Sequence, residues 1–260
     1  MSAPALDGVP VEVQVDHLLG LADDALVTAQ RLTEWVASAP ALEEDVALAN
    51  IALDQLGVAR ALLTRAGEVE GRGRDEDALA YWRAPHEFAC VQLVERPDGG
   101  DFAVAMVRLL LLSTCQLHRY AGLRTGRDPV LAAVATRAVP EVTYHRDHAR
   151  AWVLRLGDGT PESHRRAQAA LVGEWPYLGE LLTASPDAVA AGLEDDPDTW
   201  VPAALADLRA DLSAACLEVP ADPPGSARVA HGRRGEHTPH LEALLGPMQE
   251  LARAHEGASW

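Results

Sequence analysis

The chain of 260 residues contains no lysine: all 22 of its bases are arginine. That absence excludes Schiff-base chemistry and lysine acting as base or nucleophile. Cations are scarce overall, with 39 acids giving a formal charge of −17. Such a surface repels nucleic-acid phosphates and anionic lipid, so neither nucleic acid nor membrane is expected as a partner. It suits a basic partner protein, or serves solubility alone. Aromatics are thin at 5 %, while Ala and Leu dominate, a balance that favours helices over strands. The three cysteines, Cys90, Cys115 and Cys216, form no CxxC pair. They are expected as small buried apolar residues in a reducing compartment. The N-terminal MSAPALDGVPVEVQVD has neither a basic region nor a long apolar run, so no signal peptide is expected. No stretch reaches the apolar length of a membrane span, and the expected location is the cytoplasm. HExxH, GxxxxGK[ST], GxGxxG and GxSxG are all missing, which removes zinc-protease, P-loop, dinucleotide and α/β-hydrolase readings.

What remains is helical periodicity. A first helix is expected from Asp23–Asp24 through Trp35, and a second from Glu43–Glu44, whose acids suit the positive end of a helix dipole. The second carries Val46, Ala49, Leu53, Leu56 and Leu63 on one side and fades at the glycine-rich stretch from Gly67. The segment 77–94 reads as helix interrupted near Pro85. After the turn RPDGGD, residues 102–123 are apolar all round, as in the middle of a bundle. Pro129 opens a long helix through Leu156, bent at Pro140 and stopped at Gly157. Further helices are expected at 162–182, split at Pro176, at 199–217 and at 240–255. Residues 1–20 read as a flexible lead, and 219–236, rich in Pro and Gly, as a loop or arm. The reading is a single all-α domain over 1–260, a four-helix bundle with additional helices.

Polar residues interrupt each of the four long apolar segments. These are Glu34, Asn50 with Asp54, Ser113, and Glu141 with His145 and His148. Singly, each fits a solvated face or a satisfied buried group. Together, one polar cluster per helix is the layout of a carboxylate-bridged di-iron protein. Such a centre needs a Glu from each of two helices and Glu-x-x-His from each of the other two. No Asp or Glu anywhere in the chain is followed three residues later by His. Asp54 is followed at that distance by Gly57, Glu141 and His145 are one residue too far apart, and Ser113 is a poor iron ligand. The expectation is a relic centre at Glu34, Asp54, Ser113, Glu141 and His145 that holds no metal. Arg60, Arg108 or Arg119 would supply counter-charge. The pairs His145/His148 and His237/His240 lack a third ligand nearby.

Several segments resemble one family in the right order. They are QRLTEW at 30–35, APALEEDVALANIALDQLGVAR at 39–60, YWR at 81–83 and FACVQLVERPDGGDFA at 88–103. YHRDHARAWVLRLGDGT at 144–160 and GRRGEHTPHLEALLGPMQEL at 232–251 complete them. The chain is similar, from about Asp23 to Trp260, to the ferritin-like C-type subunits of phenylacetyl-CoA ring epoxidases, multicomponent monooxygenases of aerobic phenylacetate breakdown. The resemblance implies a ferritin-like fold and a structural, non-catalytic role beside a homologous catalytic subunit that carries the di-iron centre. It also implies an indirect link to a reductase, and no catalytic residue or cofactor in this chain. Asp54, Glu141 and His145 then stand where ligand-bearing helices pass. The basic segment 232–241, with Arg233, Arg234, His237 and His240, is a candidate partner-binding arm. A homodimer is a further arrangement.

Two rival readings stand beside this one. A metalloenzyme would use an unusual site of Glu34, Asp54, Glu141, His145 and His148. A helical interaction protein would keep the fold in another pathway.

Overall fold

A computed structural model describes residues 5–220 and 231–258, so residues 221–230 of the expected arm lie outside the described residues. In chain order the helices are α1 (Val11–Thr33), α2 (Leu42–Glu70), α3 (Glu76–Tyr81), α4 (Gln92–Glu95), α5 (Phe102–Leu123), α6 (Pro129–Gly157), α7 (Pro161–Glu174), α8 (Leu178–Leu181), α9 (Pro186–Ala190), α10 (Pro197–Ala214) and α11 (Pro239–Ala254). Among the described residues there is no strand, only an isolated bridge between His231 and Glu236. The fold is all-α and of the ferritin-like class, its four long helices being α1, α2, α5 and α6. Tertiary contacts gather the chain into two compact units, Met1–Pro97 with His231–Trp260, and Asp98–Ala230.

In the first unit α1 starts at Val11, immediately after Pro10, and not at Asp23–Asp24 as its acids suggest. Residues 11–20, read above as flexible, are therefore helical, and α1 is buried without a break from His17 to Ala29. The short link after Thr33 passes through Ala37, whose φ is 65°, and its N–H donates to Asp45 Oδ1 at 2.7 Å. The chain then turns back, and α2 packs along α1. Three acids open α2, and Gly71, left-handed at φ 69°, closes it by donating to Gly67 O. Gly67 cannot be larger: a Cβ there would lie 2.0 Å from Arg74 O.

Of the apolar residues placed above on one side of α2, most lie on its outside. Leu48, Ile51, Ala52, Val58, Ala59, Leu62 and Leu63 are buried, whereas Val46, Leu53 and Leu56 are exposed. By length and composition α2 is also apolar enough to cross a membrane, which the sequence reading did not anticipate.

Residues 77–94 are helical with an interruption near Pro85, as expected, but the break is longer, with residues 82–84 and 88–91 outside any helix. α3, capped by Asp75 at 2.8 Å, gives way to a 3-10 turn at Pro85–Glu87 and the single turn of α4. The reason lies elsewhere in the chain: Asp23 Oδ2 accepts from Ala89 N and Asp24 Oδ1 from Val91 N, each at 2.8 Å. Backbone donors that would otherwise require helix are satisfied by side chains of α1.

In the second unit, caps agree with the sequence. Asp101 accepts from Ala103 N at 2.9 Å, and Asp128 from Val130 N at 2.9 Å ahead of Pro129. Pro140 sits inside α6 without ending it. Pro176 lies in a 3-10 turn that divides α7 from α8, as expected. α10 stops at Ala214, short of the expected Leu217. Cys216 beyond it is left-handed (φ 58°) and exposed, whereas Cys90 and Cys115 are buried as expected. Buried Arg108 pairs with Glu174 at 2.9 Å, and Arg119 with Glu194 at 2.5 Å while lying over the Trp200 ring. Arg60, the third cation proposed for a polar centre, is exposed in the first unit and pairs with Glu76.

Candidate functional site

The densest buried polar group of the first unit centres on two acids in the middle of α1. Asp23 and Asp24 are 0 % and 4 % exposed inside the apolar run HLLGLADDALVTA. An uncompensated carboxylate there is untenable, and each has its own guanidinium. Arg83, from the irregular segment, binds both oxygens of Asp23, with Nη1 2.9 Å from Oδ2. Its Nε donates to Leu79 O at 2.5 Å and its Nη1 to Glu87 O at 2.9 Å, and it stacks on the Phe88 ring. Arg233 binds Asp24 through two nitrogens, at 2.5 and 3.1 Å, and also donates to Gly20 O and Ala89 O. Gly20 leaves room for this: a Cβ there would stand 3.1 Å from Arg233 Nη1.

A second node adjoins it. His237 Nδ1 is 2.6 Å from Glu95 Oε1, and its Nε2 is 2.7 Å from Phe88 O. Thr238 donates to the other Glu95 oxygen through both its N–H and its hydroxyl, each at 2.7 Å. Burial works against charge on His237, but the Glu95 carboxylate and the Phe88 carbonyl outweigh it and raise the imidazole above its ordinary value. Cys90, fully buried with Glu95, Asp23 and Asp24 around it, has its thiol pushed well up. The donor atoms of Cys90, Glu95 and His237 lie within 4.8 Å of one another, near enough for a cation. Both imidazole nitrogens and both Glu95 oxygens are already engaged in short hydrogen bonds, so the cluster is closed by its own partners. Chemically it is a clamp: guanidinium–carboxylate pairs do not exchange protons near neutrality, and a raised thiol is a poor nucleophile.

These findings redistribute the residues singled out above. Arg233 and His237, candidates for a partner-binding arm, bind α1, α4 and the segment 88–89 of their own unit. Arg234 and His240 are exposed, and His240 O accepts from Arg31 at 3.1 Å. Glu34 is not an interior residue: α1 ends at Thr33, and Glu34 lies beyond it, exposed and paired with Arg31 at 2.6 Å. The buried acids of α1 are Asp23 and Asp24, which sequence reasoning took for a helix start; the apolar residues on both sides of them were the available signal. Asp54 on α2 is half-buried.

In the second unit, Ser113 on α5 is fully buried, and its hydroxyl donates to Leu109 O at 2.6 Å. Glu141 is half-buried on α6 with Arg137 3.7 Å away, and His145 is 1 % exposed. His148 follows one turn on, half-buried, and the Tyr144 ring stands 6.4 Å from His145 and 6.1 Å from His148. Cys115 is pushed up to about 12 by burial. Across the whole sequence the two Glu-x-x-His pairs that di-iron binding needs are missing, so the residues present do not fit that group.

The family described as phenylacetic acid catabolic protein matches residues 10–260. The chain is also 39 % identical over 247 residues to the C-type subunit of the 1,2-phenylacetyl-CoA epoxidase of Escherichia coli strain K12, covering 94 % of this chain and 98 % of that protein. The family match spans most of the chain, the identity covers almost the whole length of both proteins, and the chain belongs to the phenylacetic acid catabolic protein family.

Proposed function

We propose that this chain is a structural, non-catalytic subunit of a phenylacetyl-CoA epoxidase. It assembles with a homologous catalytic subunit that holds the di-iron centre and, through that partner, with a reductase. The observation that carries the reading is the donor set. The chain has no Asp or Glu followed three residues later by His, and the buried acids of α1 are occupied by Arg83 and Arg233. The extended identity to a protein named as one subunit of an epoxidase supports membership of a complex. On this reading Ser113, Asp54, Glu141 and His145 are relics on the long helices, and phenylacetyl-CoA is transformed on the partner. The cytoplasm is the corresponding location.

The test is iron content after anaerobic loading with ferrous iron and desalting, on the chain alone and on the complex with its catalytic homologue. The expected result is no bound iron on the chain alone and two irons per catalytic subunit in the complex. Tightly held iron on the isolated chain, lost in His145→Ala, would overturn the reading in favour of a metalloenzyme. That rival is weakened by the position of Glu34, which removes one of its proposed carboxylates.

A further inference from the structure

The two faces of α2 are both apolar, and only one is covered. Leu48, Ile51, Ala52, Val58, Ala59 and Leu62 form the buried face. On the opposite side Leu42 is 75 % exposed, Val46 54 %, Leu53 64 % and Leu56 41 %. With Ala49 between them, these positions advance by alternating steps of four and three and end at Arg60. That alternation keeps one straight seam on a helix, about 27 Å long at 1.5 Å per residue. Surface leucines scattered singly need no explanation. A continuous apolar stripe along one helix does, because monomeric proteins seldom leave one open.

We infer that this seam is the face on which a long helix of the catalytic homologue packs, an inference that rests on the function proposed above. The occupant presents aliphatic side chains at the same alternating spacing, because knobs on one helix need matching holes on the other. It also carries a basic rim. The seam begins among Glu43, Glu44 and Asp45 and is flanked by Asp54, on a chain whose net charge is −17. The same charge argues against a second copy of this chain, which would bring a further −17 to the contact. It argues against an anionic bilayer too, although α2 has the length and composition of a membrane span. The opposite face of α2 is already buried, so the helix is not free to insert by itself.

The experiment uses the full chain and the purified catalytic homologue from the same organism, with Kd measured by sedimentation or biolayer interferometry. Leu53→Asp/Leu56→Asp is expected to weaken the complex at least 100-fold, with helicity and Tm of the free chain unchanged because both positions face water. The milder Leu53→Ala, which preserves helix propensity, is expected to weaken it about tenfold and covers the case in which the double variant fails to fold. Val172→Asp, at a residue 57 % exposed on α7, is expected to leave Kd unchanged and serves as the control. Wild-type affinity in both Leu53 variants would overturn the seam while leaving the proposed function intact. Failure of the wild-type chain to bind the homologue at all would overturn the proposed function itself. Self-association of the chain, or its binding to phosphatidylglycerol vesicles, abolished by Leu53→Asp/Leu56→Asp would assign the seam to a second copy or to lipid and overturn the choice of occupant.

Discussion

The two units bury charge in opposite ways. In the clamp of the first unit, the carboxylates Asp23 and Asp24 sit on α1, and their arginines arrive from outside the long helices. In the second, the cations are rooted in the long helices, as Arg108 and Arg119 are in α5 and Arg146 and Arg150 in α6. The carboxylates of these pairs come from α7, α10 and the 194 region. The pairs of Arg108, Arg146 and Arg150 join one regular helix to another, and that of Arg119 ties α5 to the link before α10. Those of the clamp replace secondary structure, because the same Asp23 oxygens that hold Arg83 also accept the Ala89 N–H.

Substitutions probe that difference. The largest loss is expected for Asp23→Ala, which strands Arg83 (2 % exposed) in the interior and leaves Ala89 N without its acceptor. Breaking a buried pair costs about 3–5 kcal/mol, so chemical denaturation should show a loss in that range. The counterpart is Asp211→Ala. Its arginines, Arg146 and Arg150, are 18 % and 42 % exposed and hydrate when released. A loss of about 1–2 kcal/mol is expected there, the scale of hydrogen bonds to charged groups discounted for solvent. Equal losses at the two sites would erase the distinction between replacing backbone partners and joining helices.

The smallest effect is a matter of pH and belongs to the first unit alone. His237 is raised above 6.5 in the folded chain, where Glu95, Asp23 and Cys90 face it. A raised imidazole stabilises fully below its unfolded value, and the contribution is lost as pH rises through the folded one. Hydrogen exchange of residues 231–241, corrected for intrinsic rates, should therefore show protection at pH 6 that declines on the alkaline side of 6.5. His237→Gln should remove the decline, and residues of α5 should show none. A parallel decline in α5 would mean that the clamp is not local.

How much of this was legible depended on how local the signal was. The starts of α5, α6 and α7 are written in adjacent residues: Asp101, Asp128 before Pro129, and Thr160 before Pro161. The family was legible for the same reason, in contiguous motifs. The start of α1 was not, because two acids followed by an apolar run look like a helix N-terminus unless one knows that Arg83 and Arg233 will neutralise them. The break near Pro85 was legible in the segment 77–94, but its extension through 88–91 was not, because the acceptors of Ala89 N and Val91 N lie far off in the chain on α1. The core face of α2 was not legible because both sides are apolar; which one becomes core is decided by packing on α1, not by α2 itself. The proposed relic site was half legible: the missing Glu-x-x-His pairs are a fact of spacing, whereas the exposure of Glu34 required the end of α1 to be located.

Arg233 and Asp24 are 209 residues apart in the chain, with the whole of the second unit between them in sequence. During synthesis α1 therefore leaves the ribosome with Asp24 lacking its guanidinium, and the loop that brings it is made only after the second unit. The second unit, whose ion pairs among the described residues lie within 101–211, is free to fold first. Closure of a loop that long carries an entropic penalty growing only with the logarithm of its length, but it sets the order of events. A released chain cut short before residue 231 would keep the described ion pairs of the second unit and leave Asp24 in the first without its guanidinium.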